Sequence, residues 1–287
     1  MDAITKAKYE VWMWRRIFKR VVVPVFLFLI IFSSVSFVFA LRSHGIANRS
    51  RMDDDLGIVL EEELDDYEDE VYEEEWPERV VFLTFDDGPS QNTARILDIL
   101  AYENAPSIFF LLGSSITNQS NSAVLMERIL RDGHYIGLHS MTHSNQLLYV
   151  GYDAPARFVD EMVQLQNMIY EQTAHRTNLC RAPYGMMSGF RSDSGHAEAI
   201  FEAGIKCIDW NVDPEDWRSS SDVIIQRVVD QVEMLNFPSE LVIVLHERES
   251  TIEALPTVIS YLREQGYVFK TYIPGHEFIY QRYNNGY

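Results

Sequence analysis

Residues 80–89 read VVFLTFDDGP: six β-branched, aromatic and aliphatic residues, a pair of acids, and a Gly-Pro turn. A short apolar run bounded by a turn signal is a strand. Moving outward, the same texture returns at 107–112, 134–138, 178–181, 205–210, 241–246 and 266–271. Between these runs, residues 92–103, 123–132, 156–173, 222–235 and 252–264 carry helical periodicity. Strand–helix alternation of this kind predicts an α/β fold with a parallel sheet and helical crossovers. Seven strands predict a distorted (β/α)7-type barrel over residues 79–287. In such architectures chemistry gathers at the C-terminal ends of the strands, so the reactive residues should follow the apolar runs.

Upstream of this domain the texture is different. Residues 1–20 are basic, with Arg15, Arg16, Lys19 and Arg20 at their end. Residues 21–41 (VVVPVFLFLIIFSSVSFVFAL) are uncharged and almost wholly apolar, long enough to cross a bilayer as one helix. The flanking cations put the N-terminus in the cytoplasm, which predicts a single-pass cell-membrane protein with its catalytic domain extracytoplasmic. A cleaved leader is the rival, ending at the small-residue stretch Val38-Phe39-Ala40, but the run exceeds the core of an ordinary signal peptide. Residues 42–78 then form a linker. From Asp53 to Glu78 it holds no Lys or Arg, and its acids repel one another into an extended spacer.

The 287 residues are 47% hydrophobic and 13% aromatic, enough for a sizeable core. A formal net charge of −19 argues against a nucleic-acid partner, because phosphates are bound by clustered Lys and Arg. Cys180 and Cys207 form no metal-type Cys-x-x-Cys. They read as two buried thiols, with a disulfide between neighbouring strands as the alternative in an oxidising compartment.

Reactive residues do follow the runs. Asp86 and Asp87 end the first; adjacent carboxylates there can point in different directions, one to a metal and one to a proton, although such a pair also occurs as a loop or cap feature. His139 and His143 follow the third run, and imidazoles four apart share a face of a helical turn, within reach of one ion. No Glu follows the first His, so this is not a zincin helix. Two imidazoles and one carboxylate leave positions for water and substrate. Arg181, after the fourth run, can pair with a carboxylate and keep it ionised. The fifth is followed by 209–217, DWNVDPEDW, and the sixth ends on His246. Each element alone has a bland reading as an ion pair, a turn or a half-buried His.

Taken in order, Asp-Asp-Gly-Pro, His-x-x-x-His, Arg-x-Pro-Tyr, the Asp-Trp pair and the terminal Leu-His resemble the motifs of the polysaccharide deacetylase (NodB-homology) family, carbohydrate esterase family 4. They span Thr84 to His246. The resemblance implies a distorted (β/α) barrel with Asp86 as general base and Asp87, His139 and His143 as metal ligands. It further implies that Arg181 orients the base and that the Tyr184 backbone N–H helps bind the oxyanion. Asp216 would tune the imidazole, Trp217 would wall the substrate groove, Leu245 would lie near the acetyl-methyl pocket, and His246 would be the general acid. Departures are small: Asn211 stands where Ser or Thr is usual, His143 is not followed by Pro, and Glu247 replaces a frequent Asp.

This set predicts metal-dependent hydrolysis of N-acetyl groups from a polysaccharide, peptidoglycan or another N-acetylglucosamine polymer, with release of acetate. Zinc is the expected ion, and cobalt, manganese and iron suit the same donors. Tyr184, Trp217 and Trp210 offer faces for sugar rings, although aromatics near strands are as often core. An O-acetyl (xylan-type) esterase would use the same machinery. A silent glycan-binding surface protein is the remaining alternative, and it would be expected to lack a ligand or the base, whereas all are present here.

Overall fold

Strand β1 (Val80–Gly88) is the hub of a parallel sheet, hydrogen-bonded to three other strands. The structure, a computed structural model, describes residues 77–186, 195–276 and 278, which fall in one unit, Glu73–Tyr287. The basic segment 1–20, the apolar run 21–41 and nearly all of the acidic linker lie outside the described residues. Among the described residues no helix is long and apolar enough to cross a membrane.

After β1 come α1 (Thr93–Tyr102), β2 (Ser107–Leu111), α2 (Gly113–Asn118), α3 (Ser122–Arg131), β3 (Tyr135–Leu138), α4 (Asn145–Tyr149), α5 (Ala154–Thr173) and β4 (Leu179–Cys180). Then follow α6 (His196–Glu202), β5 (Lys206–Cys207), a 3-10 turn (Asp216–Arg218), α7 (Ser221–Met234), β6 (Glu240–His246), α8 (Glu249–Glu264) and β7 (Val268–Phe269). The longer predicted helices are all present to within a few residues. The short helices α2, α4 and α6 are additions, since five to seven residues carry too little periodicity to read.

The strand order is β5-β4-β3-β2-β1-β6. Beyond β5 the chain returns to the far edge of this curved sheet, where Val212 bridges Ile243. Asn211 seals the seam: its Nδ2 donates to the Glu240 carbonyl (2.9 Å) and its Oδ1 accepts from the Val242 N–H (2.8 Å). The result is a half-barrel with helices outside. The strand count matches the expectation, but the seventh strand is not a stave between β6 and β1. Strand β6 pairs directly with β1 from Val80 to Asp86, and β7 meets only Val80 and Val81, on the opposite edge and below the start of β2 pairing at Leu83.

The two-residue period of the strands makes two cores. Val81, Leu83 and Phe85 of β1 face outward with Leu241, Ile243 and Leu245 of β6, against the apolar stripes of the helices. In α1 that stripe is Ile96, Leu97 and Leu100. Val80, Phe82, Ile108, Phe110, Leu179 and Val242 face inward, and Tyr272 and Phe278 stack at 5.6 Å in the same cluster. Gly137 of β3 is required by close approach, since a Cβ there would lie 2.5 Å from the Phe110 ring. Thr84 and Asp86 share the inward parity of Val80 and Phe82, which is how a carboxylate comes to project into the barrel mouth.

Phe109 is fully buried on the outer face and stacks on Phe85 at 5.0 Å. Phe109→Ala should destabilise the fold by about 3–5 kcal/mol, through lost transfer energy and an uncollapsed cavity. Chemical denaturation would measure this, and a loss below about 1 kcal/mol would contradict the packing described.

Candidate active site

At the end of β1 the register to β2 slips between Asp86 and Gly88, and Asp87 adopts φ +71°. In regular extended backbone the two adjacent side chains would point to opposite faces. The left-handed residue in this bulge instead brings the second carboxylate to the same rim as the first, at a cost of about 1–3 kcal/mol for a non-glycine residue. Asp86 opposes His246 in the β1–β6 register, so base-type and acid-type groups meet at one strand end.

Arg181 follows the two-residue strand β4 and is completely buried (0% exposed). Its Nη1 donates to Asp86 Oδ1 (2.9 Å) and to the Thr84 hydroxyl, and its Nη2 donates to the Asp209 carbonyl (3.2 Å). The guanidinium lies 4.4 Å from the Phe110 ring centroid, a buried cation–π contact. Burial pushes the Asp86 carboxyl above its ordinary value, and the charges of Arg181 and His246 oppose that push.

His139 and His143 do not share a helical turn, as their spacing suggests. They sit on an irregular loop after β3, in which Ser140 (φ +72°) and His143 (φ +56°) are left-handed. The loop still brings them together: His139 Nε2 and His143 Nε2 are each 3.5 Å from Asp87 Oδ1. His139 Nδ1 donates to the Arg181 carbonyl (2.9 Å), which fixes the tautomer and leaves the Nε2 lone pair facing Asp87. Burial holds His139 down to about 3, against the raising effect of Asp87, so it is a neutral imidazole.

His246 is opposite in character. Its Nδ1 donates to Asp216 Oδ1 (2.7 Å), while Asp216 Oδ2 accepts from the His246 backbone N–H (2.6 Å) and the Thr251 hydroxyl (2.6 Å). Burial lowers its pKa, but the bond and charge of Asp216, with Asp86 and Asp87 behind, outweigh burial and raise it to about 9. Because this lies above the unfolded imidazole value, the pair stabilises the fold fully below pH ~6.5 and loses that contribution as pH rises through about 9.

Other predicted positions fall out differently. Leu245 has the outward parity and lies in the helix-side core with Phe85, so it faces away from the site; Val244, two residues before His246, has the same parity as the imidazole. Trp217 is 54% exposed beside Asp216, under the Arg218 guanidinium. Trp210 packs against the inner core and the Arg181 guanidinium (5.6 Å), which makes it a packing residue. Tyr184 (φ +66°) is half-exposed, its ring 4.5 Å from that of His143 and its hydroxyl donating to the His143 carbonyl (2.8 Å). Cys180 and Cys207 are direct register partners on β4 and β5, and both are free thiols. Sequence reading missed Thr84, Asp209 and Thr251 as partners of the charged groups. It also missed the bracing role of Glu247, whose carboxylate accepts from the Ser90 (2.5 Å) and Thr93 (2.6 Å) hydroxyls just beyond Asp87.

Asp87, His139 and His143 fit a divalent metal ion. Their ligand atoms lie within 4.8 Å of one another, and Asp87 Oδ1 is buried with no hydrogen-bond partner among the described residues, as a ligand oxygen would be. One carboxylate and two imidazoles make a donor set with room for water and substrate.

A parallel half-barrel that gathers two carboxylates, two converging imidazoles and a carboxylate-bound third imidazole at its C-terminal rim has the make-up of a hydrolytic enzyme with a metal site. Residues 73–197 match the family model described as polysaccharide deacetylase. The chain is 33% identical over 207 residues to the putative polysaccharide deacetylase YheN of Bacillus subtilis, covering 70% of this chain and 71% of that one. It is also 33% identical over 198 residues to a peptidoglycan-N-acetylglucosamine deacetylase of Bacillus cereus, covering 68% and 69%. The crystal structure of the polysaccharide deacetylase Bc1974 from Bacillus cereus superposes with a TM-score of 0.62 at 32% identity, covering 70% of this chain and 95% of that one. The chain belongs to the polysaccharide deacetylase family of enzymes.

Asp216→Asn should leave burial at His246 opposed only by the charges of Asp86 and Asp87, so that its titration midpoint drops by about 1–3 pH units. Titration of the His246 ring proton by NMR in metal-free protein reads this directly. An unmoved midpoint would show that Asp216 does not set the imidazole's charge.

Proposed function

We propose that this chain hydrolyses N-acetyl groups on an extracytoplasmic amino-sugar polymer, peptidoglycan or another N-acetylglucosamine glycan, and releases acetate. The observation that carries the reading is the convergence at one rim of Asp86 on Arg181, Asp87 between two imidazoles, and His246 on Asp216. The relatives named for peptidoglycan support the choice of polymer.

Asp87, His139 and His143 would hold the ion, with zinc the best match to the donors. A divalent ion there supplies Lewis acidity, which acidifies water and polarises the acetyl carbonyl. Asp86 takes the proton of the attacking water, and Arg181 holds its carboxylate in the one orientation that faces the rim. As the carbonyl carbon becomes tetrahedral, the Tyr184 N–H donates to the developing oxyanion, a contribution of ~3 kcal/mol for one well-placed donor. That N–H makes no hydrogen bond to any described residue. His246, charged at neutral pH through Asp216, gives its proton to the departing amine as the C–N bond breaks. Trp217 would flank the sugar chain with its exposed face.

The apolar run 21–41, with cations before it, supports a single-pass anchor in this reading, and the acidic stretch 53–78 a spacer toward the polymer.

The test is acetate release by the full-length chain with added zinc, on peptidoglycan, chitin oligomers and acetylated xylan. Release from the N-acetylglucosamine substrates is expected. Release from xylan alone would make the enzyme an O-acetyl esterase, and retention on glycan with no release would make it a silent binder.

A further inference from the structure

We infer that Glu161 of α5 is a positioning residue that sets the geometry of the His139–His143 loop for metal binding; this rests on the reading of Asp87, His139 and His143 as ligands. The buried stripe of α5 runs Ala154, Phe158, Glu161, Met162, Leu165 and Ile169, so a carboxylate occupies a position where periodicity demands an apolar side chain. It is only 8% exposed. Among the described residues its hydrogen-bond donors come from one segment: Oε2 accepts the backbone N–H groups of Met141 (3.1 Å) and Thr142 (3.0 Å), and the Thr142 hydroxyl donates to the carboxylate at 2.9 Å. Those donors are the middle of the loop whose ends are the two imidazoles.

On its other side the loop leans on the start of α2. The Gly113 N–H donates to the Ser140 carbonyl (3.1 Å) and the Ser114 N–H to that of Met141 (2.8 Å). A Cβ on Gly113 would lie 3.1 Å from Met141 Cα, so the loop packs this closely on α2 only because residue 113 has no side chain. Ser140 Oγ closes the turn by accepting the His143 N–H (3.0 Å). Left-handed Ser140 and His143 persist only if surrounding contacts over-determine them. Glu161 provides those contacts for both central N–H groups, and without it two donors would lose their partner in a site that must hold Nε2 of both rings toward Asp87. Because Glu161 does not touch a candidate ligand side chain, its effect should appear in metal affinity before it appears in the fold.

The experiment titrates zinc into full-length wild type, Glu161→Gln, Thr142→Ala and His139→Ala, in competition with a chromophoric chelator, with thermal denaturation of each metal-free protein alongside. Wild type should bind zinc and His139→Ala should not. Glu161→Gln, measured where it is folded, should bind about 10–100-fold more weakly, the usual cost of losing a supporting partner of a metal site. Its kcat should recover at excess zinc. Thr142→Ala, which deletes the hydroxyl's bond to Glu161 and its acceptance of the Ser144 N–H (3.2 Å) but keeps both backbone N–H bonds to the carboxylate, should weaken binding by about threefold, and it carries the test if Glu161→Gln does not fold. A lowered melting temperature with zinc affinity within twofold of wild type would make Glu161 a structural residue and overturn the inference. Failure of wild type itself to bind zinc would overturn the metal reading and this inference with it.

Discussion

The site depends on one buried guanidinium. Arg181 joins groups that the chain delivers from three directions: its side chain binds Thr84 and Asp86 at the end of β1 and the carbonyl of Asp209 after β5, while its own carbonyl accepts from His139 after β3. A carboxylate and an arginine without solvent would each be costly alone, and together with these partners they become mutually obligatory. Strand β4 is only two residues long, so backbone pairing alone is a weak anchor for it. The Arg181–Asp86 pair fixes where β4 ends and also which way Asp86 faces. Removing either partner would strand the other's charge in the barrel, a loss of the kind that costs about 3–5 kcal/mol.

Around that pair the rim is built from backbone that most residues avoid. Asp87, in the bulge at the end of β1, and Ser140, His143, Tyr184 and Glu215, on the loops that follow β3, β4 and β5, all have positive φ. Such conformations are costly and gather where function requires a side chain that regular structure would aim elsewhere. Here the outcome is concrete. Asp87 turns in beside Asp86, both candidate histidines reach one oxygen, and Glu215 leads into the turn that lays Asp216 against His246. The compensation comes from charged groups that are themselves buried: Arg181, Glu161 and Asp216.

Much of this was legible in the sequence, because strand–helix alternation and the placement of reactive residues after apolar runs are consequences of how parallel α/β folds are made. The position of β7 was not legible. A two-residue pairing leaves no periodic signal, and whether a final strand closes a barrel or slips beneath it is decided by tertiary packing. The helical turn expected at His139 and His143 failed because neither left-handed residue is a glycine, so nothing in the local sequence marks the reversal. Leu245 was recoverable: counting in twos back from His246 places it on the helix side. Glu161 was recoverable too, as an acid on an otherwise apolar helical stripe, but only the structure names the N–H groups it serves.

In the proposed mechanism two adjacent aspartates have different tasks, Asp86 through its pairing to Arg181 and Asp87 through the bulge that turns it to the histidines. The direct measurement is metal content by mass spectrometry beside kcat for Asp86→Asn and Asp87→Asn. Asp86→Asn should keep the metal while kcat falls by about 10²–10⁴-fold or more. Asp87→Asn should lose the metal and regain part of its rate when metal is in excess. A protein that loses its metal through Asp86→Asn and keeps it through Asp87→Asn would contradict the assignment.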